Sequence, residues 1–177
     1  MINPIQNHLA KLLVLSALIN ASSASANESN REMLDRYADY MGLPKLGSQD
    51  GDSLRIWIHD VLLGELQGYV VTNSRSLQCL GNGNIQPMDE PHRARCIVTT
   101  QRTQPKNALS LLGRLEKLDG KEIDCGVQDG DAVYVEGMHD GHIFEFYSGN
   151  PGSCSDSGSA LVTKAIALVK PHRVGTS

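Results

Sequence analysis

On either side of Asp140-Gly141 the chain alternates hydrophobic and polar residues with a period of two, as strands do when each buries one face. Ala132 to Met138 and His142 to Ser148 are these strands, and Asp-Gly between them specifies a type I′ hairpin turn. A two-residue turn fixes the register: Met138 faces Ile143, Gly137 faces Phe144, Glu136 faces Glu145, Val135 faces Phe146 and Tyr134 faces Tyr147. Val133, Val135, Phe144 and Phe146 then share the core face, where Gly137 leaves room for the ring of Phe144. Tyr134, Glu136, Glu145 and Tyr147 fall on the opposite face, which is expected to look outward.

Upstream, Leu54, Ile56 and Ile58 alternate with Arg55, Trp57 and His59, the pattern of a half-buried strand. Gly68 to Thr72 and Ser76 to Leu80 read as further strands, and Arg95 to Thr100 as another after a loop from Gly81 to Pro91. Helical spacing appears in three places. Ser29-Asn30-Arg31-Glu32 has capping-box spacing, and Met33, Leu34, Tyr37 and Met41 recur on one face until Gly42 and Pro44. Gly47 to Ser53 is a polar connector. Asn107 to Leu118 forms one helix with Leu109, Leu112 and Leu115 stacked and Gly120 as its stop, and Ser155-Asp156-Ser157 caps a last helix from Gly158 to Val169 that Pro171 ends. Helix, strands, helix, hairpin, helix, without βαβ alternation, predicts an α+β fold in which an antiparallel sheet carries helices on one face.

The first residues change the compartment. Leu12 to Ile19 is an apolar run too short to span a bilayer, and Ala24-Ser25-Ala26 supplies the small residues that a signal peptidase accepts. Residues 1–26 are therefore expected to be a signal peptide, and residues 27–177 a single α+β domain that is periplasmic or secreted. No second apolar run could insert stably into a membrane. Cys79, Cys96, Cys125 and Cys154 are an even set in an oxidising compartment, which implies two disulfides with three possible connectivities. Extending the hairpin register brings Cys125 and Cys154 close to opposition, favouring that bridge and leaving Cys79 with Cys96. No Cys-x-x-Cys occurs, which argues against a thioredoxin-like site or a zinc ribbon.

Charge narrows the partners. The formal net charge is −4, and removal of Lys11 with the signal peptide makes the chain more acidic. Phosphate backbones call for a basic stripe, whereas His92-Arg93-Ala94-Arg95 is one short cluster behind Asp89 and Glu90, so no nucleic-acid partner is expected.

Three constellations could carry chemistry. Cys154-Ser155-Asp156-Ser157-Gly158 resembles the nucleophile segment of chymotrypsin-like serine proteases, with His59 upstream. However, Ser155 replaces a glycine, the cysteine stands one residue too close to Ser157, and a helix cap accounts for the same residues. His139 and His142 face each other across the turn and could share an ion, but two ligands make a weak site and no cysteine remains to add a third. No metal and no cofactor are assigned. Glu136 and Glu145 are like charges set directly opposite, which repel unless a basic side chain from the next strand intervenes. Such a pair could perform acid–base work if burial raised one pKa, or receive a basic group from a partner.

Asp129-Gly130-Asp131-Ala132-Val133-Tyr134-Val135-Glu136-Gly137, with Asp140-Gly141, Phe144 and Asn150-Pro151-Gly152, resembles a pattern in small uncharacterised exported bacterial proteins. The resemblance covers about the last third of the chain and transfers no catalytic residue; Tyr134 stands where that pattern has tryptophan. The expected function is non-enzymatic binding of an envelope protein, as an inhibitor or immunity partner of a cell-wall-targeting enzyme. Tyr134, Glu136, Glu145 and Tyr147 would form the contact surface. The rivals are a small exported hydrolase using Ser157 or the Glu136/Glu145 pair, and a structural envelope protein.

Overall fold

The computed structural model describes residues 30–47, 51–82, 95–98, 104–126 and 130–170. The expected signal peptide, Ser29 of the capping box, most of the loop from Gly81 to Pro91 and Pro171 lie outside the described residues. The described residues fall into two units, 30–36 in the first and those from 37 onward in the second. Residues 30–36 of the first unit and residues 37–40 of the second are helical (α1).

Seven strands of the second unit form one sheet: β1 (Ser53–Asp60), β2 (Glu65–Thr72), β3 (Ser76–Asn82), β4 (Arg95–Val98), β5 (Glu122–Asp124), β6 (Asp131–His139) and β7 (His142–Gly149). Their spatial order is β4-β3-β2-β1-β6-β7-β5. Between β4 and β5 lie α2 (Gln104–Leu109), α3 (Leu112–Leu115) and a 3₁₀ turn (Glu116–Leu118); α4 (Ser157–Val169) closes the fold. The class is α+β, as expected. The sheet is mixed, because β5 pairs with β7 in parallel while the other ladders are antiparallel.

The β6–β7 hairpin has the register that its turn dictates, including Glu136 opposite Glu145 and Tyr134 opposite Tyr147. Asp140 and Gly141 take φ of 50° and 81°, the left-handed pair that a type I′ turn requires. Val133, Val135, Phe144 and Phe146 pack with Leu54, Ile56 and Ile58 of β1 and Tyr69 and Val71 of β2 beneath α2, α3 and α4. A Cβ on Gly137 would stand 2.4 Å from Cζ of Phe144 and 3.0 Å from the carbonyl oxygen of Ser53.

Two elements differ from the sequence pattern for local reasons. The helix expected over Asn107–Leu118 is broken, because the Ser110 hydroxyl donates to the Asn107 carbonyl at 2.7 Å and Leu111 N–H turns to Ala108 O. The α3 turn and the 3₁₀ turn follow, with Leu112 and Leu115 still wholly buried. The β5 strand carries only Ile123 as an apolar residue; it is set by the outer edge of β7, whose Glu145 N–H donates to Asp119 Oδ1 at 2.9 Å and whose Glu145 carbonyl accepts from Gly120 N–H at 2.8 Å.

Both expected disulfides form. Cys79 and Cys96 are direct partners on β3 and β4, with Cα atoms 4.0 Å apart. Cys125 and Cys154 have Cα atoms 5.8 Å apart. Cys125 follows β5, so this bridge ties the edge strand to the segment entering α4 rather than closing the base of the β6–β7 hairpin. In α4 it is Asp156 that caps, accepting from Gly158 N–H at 2.8 Å and Ser159 N–H at 2.9 Å.

The second face of the sheet is not solvated at its centre, contrary to expectation. Ser53, Arg55, Trp57, Leu66, Val70 and Glu136 are all buried there. Residues 37–47 lie across it: the Tyr37 ring meets Trp57 at a tilt and Tyr134 edge-on, and Gly47 lies against Ile143. A central strand covered on both sides explains why Arg55 and Trp57 are as inaccessible as Ile56.

Gly137→Ala should destabilise the protein by about 1–3 kcal/mol, because the added methyl meets a packed ring and a backbone carbonyl that cannot both withdraw. Urea unfolding measures this, and the dependence on denaturant should keep its wild-type slope.

Candidate functional site

The buried face of β1 and β6 holds a polar centre. Register sets Arg55 beside Glu136, whose other neighbour is Glu145. One oxygen of Glu136 accepts from Arg55 Nη1 at 3.4 Å and from the Trp57 indole N–H at 3.1 Å. Arg55 Nη2 donates to the Pro44 carbonyl. Arg55 and Glu136 are each 1% exposed, so this is a buried ion pair. The like-charge opposition of Glu136 and Glu145 is relieved by the basic side chain from the neighbouring strand.

The four residues expected to bind a partner therefore separate. Glu136 is enclosed and occupied by Arg55 and Trp57, which removes it from any contact surface and corrects the reading of two outward carboxylates. Glu145, Tyr134 and Tyr147 are partly exposed. Tyr134 and Tyr147 have ring centroids 5.0 Å apart, and burial, with Tyr37 and Tyr147 nearby, pushes the Tyr134 phenol up to about 12. The phenol therefore stays protonated at neutral pH.

A second cluster lies where the core face runs out, at the turn end of the hairpin. Alternation carries the helix-bearing face from Phe144 to His142 and from Gly137 to His139, which pair directly. One residue beyond Ser53↔Met138, the β1–β6 register sets Asp52 opposite His139. Glu116 of the 3₁₀ turn reaches both imidazoles, with 2.9 Å to Nδ1 of His139 and 2.9 Å to Nδ1 of His142. Asp52 Oδ1 accepts the Asp140 N–H at 3.1 Å. The hydrogen bond to Glu116 raises the His139 pKa, and the same bond lowers that of Glu116. Alternation two residues ahead of Leu54 would have placed Asp52 here; Glu116 was hidden by the unforeseen break at Ser110.

The protease-like segment is not assembled into a catalytic pair. Ser157 begins α4 on the face of Ile56 and Ile58, whereas His59 shares the opposite face with Trp57. The depression beside α4 is lined by Asp131, Thr163 and Lys170, among others, and not by Ser157, Glu136 or Glu145. No family model and no curated protein matches the chain.

Glu136→Ala should cost about 3–5 kcal/mol, since it strands a buried guanidinium, whereas Glu145→Ala should cost no more than about 1 kcal/mol. Chemical denaturation of both variants checks the contrast.

The Glu116–His139 pair gives a pH dependence of definite sign. The raised His139 pKa contributes stability that is complete below its ordinary 6.5 and is lost as pH rises through the raised value. The lowered Glu116 pKa contributes stability that is complete above its ordinary 4.5 and is lost as pH falls through the lowered value. Thermal unfolding in EDTA should show Glu116→Gln losing more against wild type at about pH 5.5 than at about pH 8.5.

Proposed function

We propose that the chain is a non-enzymatic protein-binding domain of the bacterial envelope, periplasmic or secreted, that engages a basic partner. Two disulfides suit an oxidising compartment, and among the described residues no helix is long and apolar enough to cross a membrane. One observation carries the binding reading. In the β1–β2 turn, Val61, Leu62 and Leu63 are three consecutive large apolar side chains, exposed at 56%, 71% and 71%.

The turn is held in shape rather than loose: Asp60 Oδ1 accepts from Leu62 N–H at 3.0 Å and Leu63 N–H at 2.9 Å, and Gly64 N–H donates to Asp60 O at 2.9 Å. A preorganised apolar tip presents its contact area at little further cost in ordering. Register lines Glu65, Asp60 and Asp131 across β2, β1 and β6 at its base, an acidic rim that complements a basic surface. Tyr134 and Tyr147 lie on the second face toward the same end of the sheet, so they belong to this surface where Glu136 does not. An inhibitor or immunity partner of a cell-wall-targeting enzyme is the role that an acidic, disulfide-stapled binding domain fits best.

Leu62→Ser combined with Leu63→Ser tests the reading by affinity capture from an envelope extract, with captured proteins identified by mass spectrometry. The double variant should lose the partner held by wild type while its thermal midpoint stays the same. An unchanged capture pattern would reject the turn as the contact surface.

A further inference from the structure

We propose that Asp52, His139 and Asp140 form a zinc site at the turn end of the β6–β7 hairpin. The three residues offer ligand atoms that all lie within 4.8 Å of one another. They come from two separate parts of the chain, the approach to β1 and the hairpin turn. An imidazole with two carboxylates is a donor set suited to a divalent ion of borderline softness, and three protein ligands with water in the fourth position is a usual zinc arrangement.

The geometry around His139 is that of a ligand whose other nitrogen is already employed. Its Nδ1 is held by Glu116 at 2.9 Å, and its ring lies against Gly113, where a Cβ would stand 3.1 Å from Cε1. These contacts fix the ring plane and direct Nε2 toward Asp140, whose Oδ2 is 3.9 Å away. That separation exceeds a hydrogen bond, while two ligands on one tetrahedral zinc stand about 3.3–3.5 Å apart, so a closure of about half an ångström brings both into coordination. A carboxylate on the far nitrogen is the usual companion of a metal-bound histidine, because it sets the tautomer and raises the basicity of the coordinating atom. Asp52 is positioned by the Asp140 N–H, so the turn orients both carboxylates together.

His142 has a different place. It shares Glu116 with His139 through its own Nδ1, and it orients the carboxylate rather than the ion. Zinc at this site would clip the segment entering β1 to the hairpin turn and close that end of the sheet. It lies at the opposite end of β1 from Val61–Leu63, so it neither supports nor depends on the binding surface proposed above.

Zinc chloride titrated calorimetrically into the full chain, first stripped with EDTA, is the test. Wild type should bind one equivalent. Asp52→Asn, which keeps its size and its acceptor for Asp140, should weaken binding at least about tenfold, as should His139→Gln and, by way of Nδ1, Glu116→Gln. His142→Gln should stay within about threefold of wild type, below the roughly 10–100-fold that loss of a direct supporting partner costs. Zinc should also raise the thermal midpoint of wild type and not that of Asp52→Asn. The proposal is overturned if wild type shows no saturable binding, or if His142→Gln abolishes binding that Asp52→Asn retains, since the ion would then lie between the two imidazoles.

Discussion

Arg55 and Glu136 are charged side chains held almost wholly out of water, an arrangement that is costly unless each charge is paired and hydrogen-bonded. Desolvation costs several kcal/mol for each ion, so the pair adds little net stability by itself. Its consequence is directional. Glu136 gathers the guanidinium and the Trp57 indole, and Arg55 reaches on to the Pro44 carbonyl, which fixes the segment over residues 37–47 against this face. Greasy residues of equal volume would bury the same area without specifying which carbonyl meets the sheet.

This centre also explains why the sheet is covered on both sides. Helices α2, α3 and α4 take the face of Ile56 and Val135, and Tyr37 with its following residues takes the face of Trp57. Gly68 makes the second packing possible, since a Cβ there would stand 2.7 Å from the Trp57 ring. Polar chemistry is thereby pushed to the two ends of β1. One end carries the apolar tip and its acidic rim; the other carries Asp52, His139, Asp140 and the Glu116 that serves both histidines.

The hairpin was legible in the sequence because Asp140-Gly141 leaves one register, and from that register follow the core face and the space for Phe144; Cys125 and Cys154 do bond, but by way of β5 rather than by the extended hairpin register. What the hairpin pattern could not reveal is what lies over its second face. Period-two alternation tells which residues share a side and not whether that side is wet, so Glu136 and Glu145 looked equivalent. They differ because Arg55 is adjacent to one and because residues 37–47 pass over it, a tertiary fact with no local signal. The break at Ser110 likewise comes from a side-chain hydrogen bond that competes with the helix ladder, and β5 is a strand by virtue of the β7 edge rather than of its own residues.

Trp57 is the only tryptophan of the chain, which makes the burial of the central face directly measurable. Its indole N–H should exchange with solvent deuterium only through global unfolding, and its fluorescence should be blue-shifted and insensitive to iodide, because the side chain is fully enclosed and donates to Glu136. An indole that exchanges rapidly under native conditions, with red-shifted emission quenched by iodide, would contradict a closed second face and the buried ion pair at its centre.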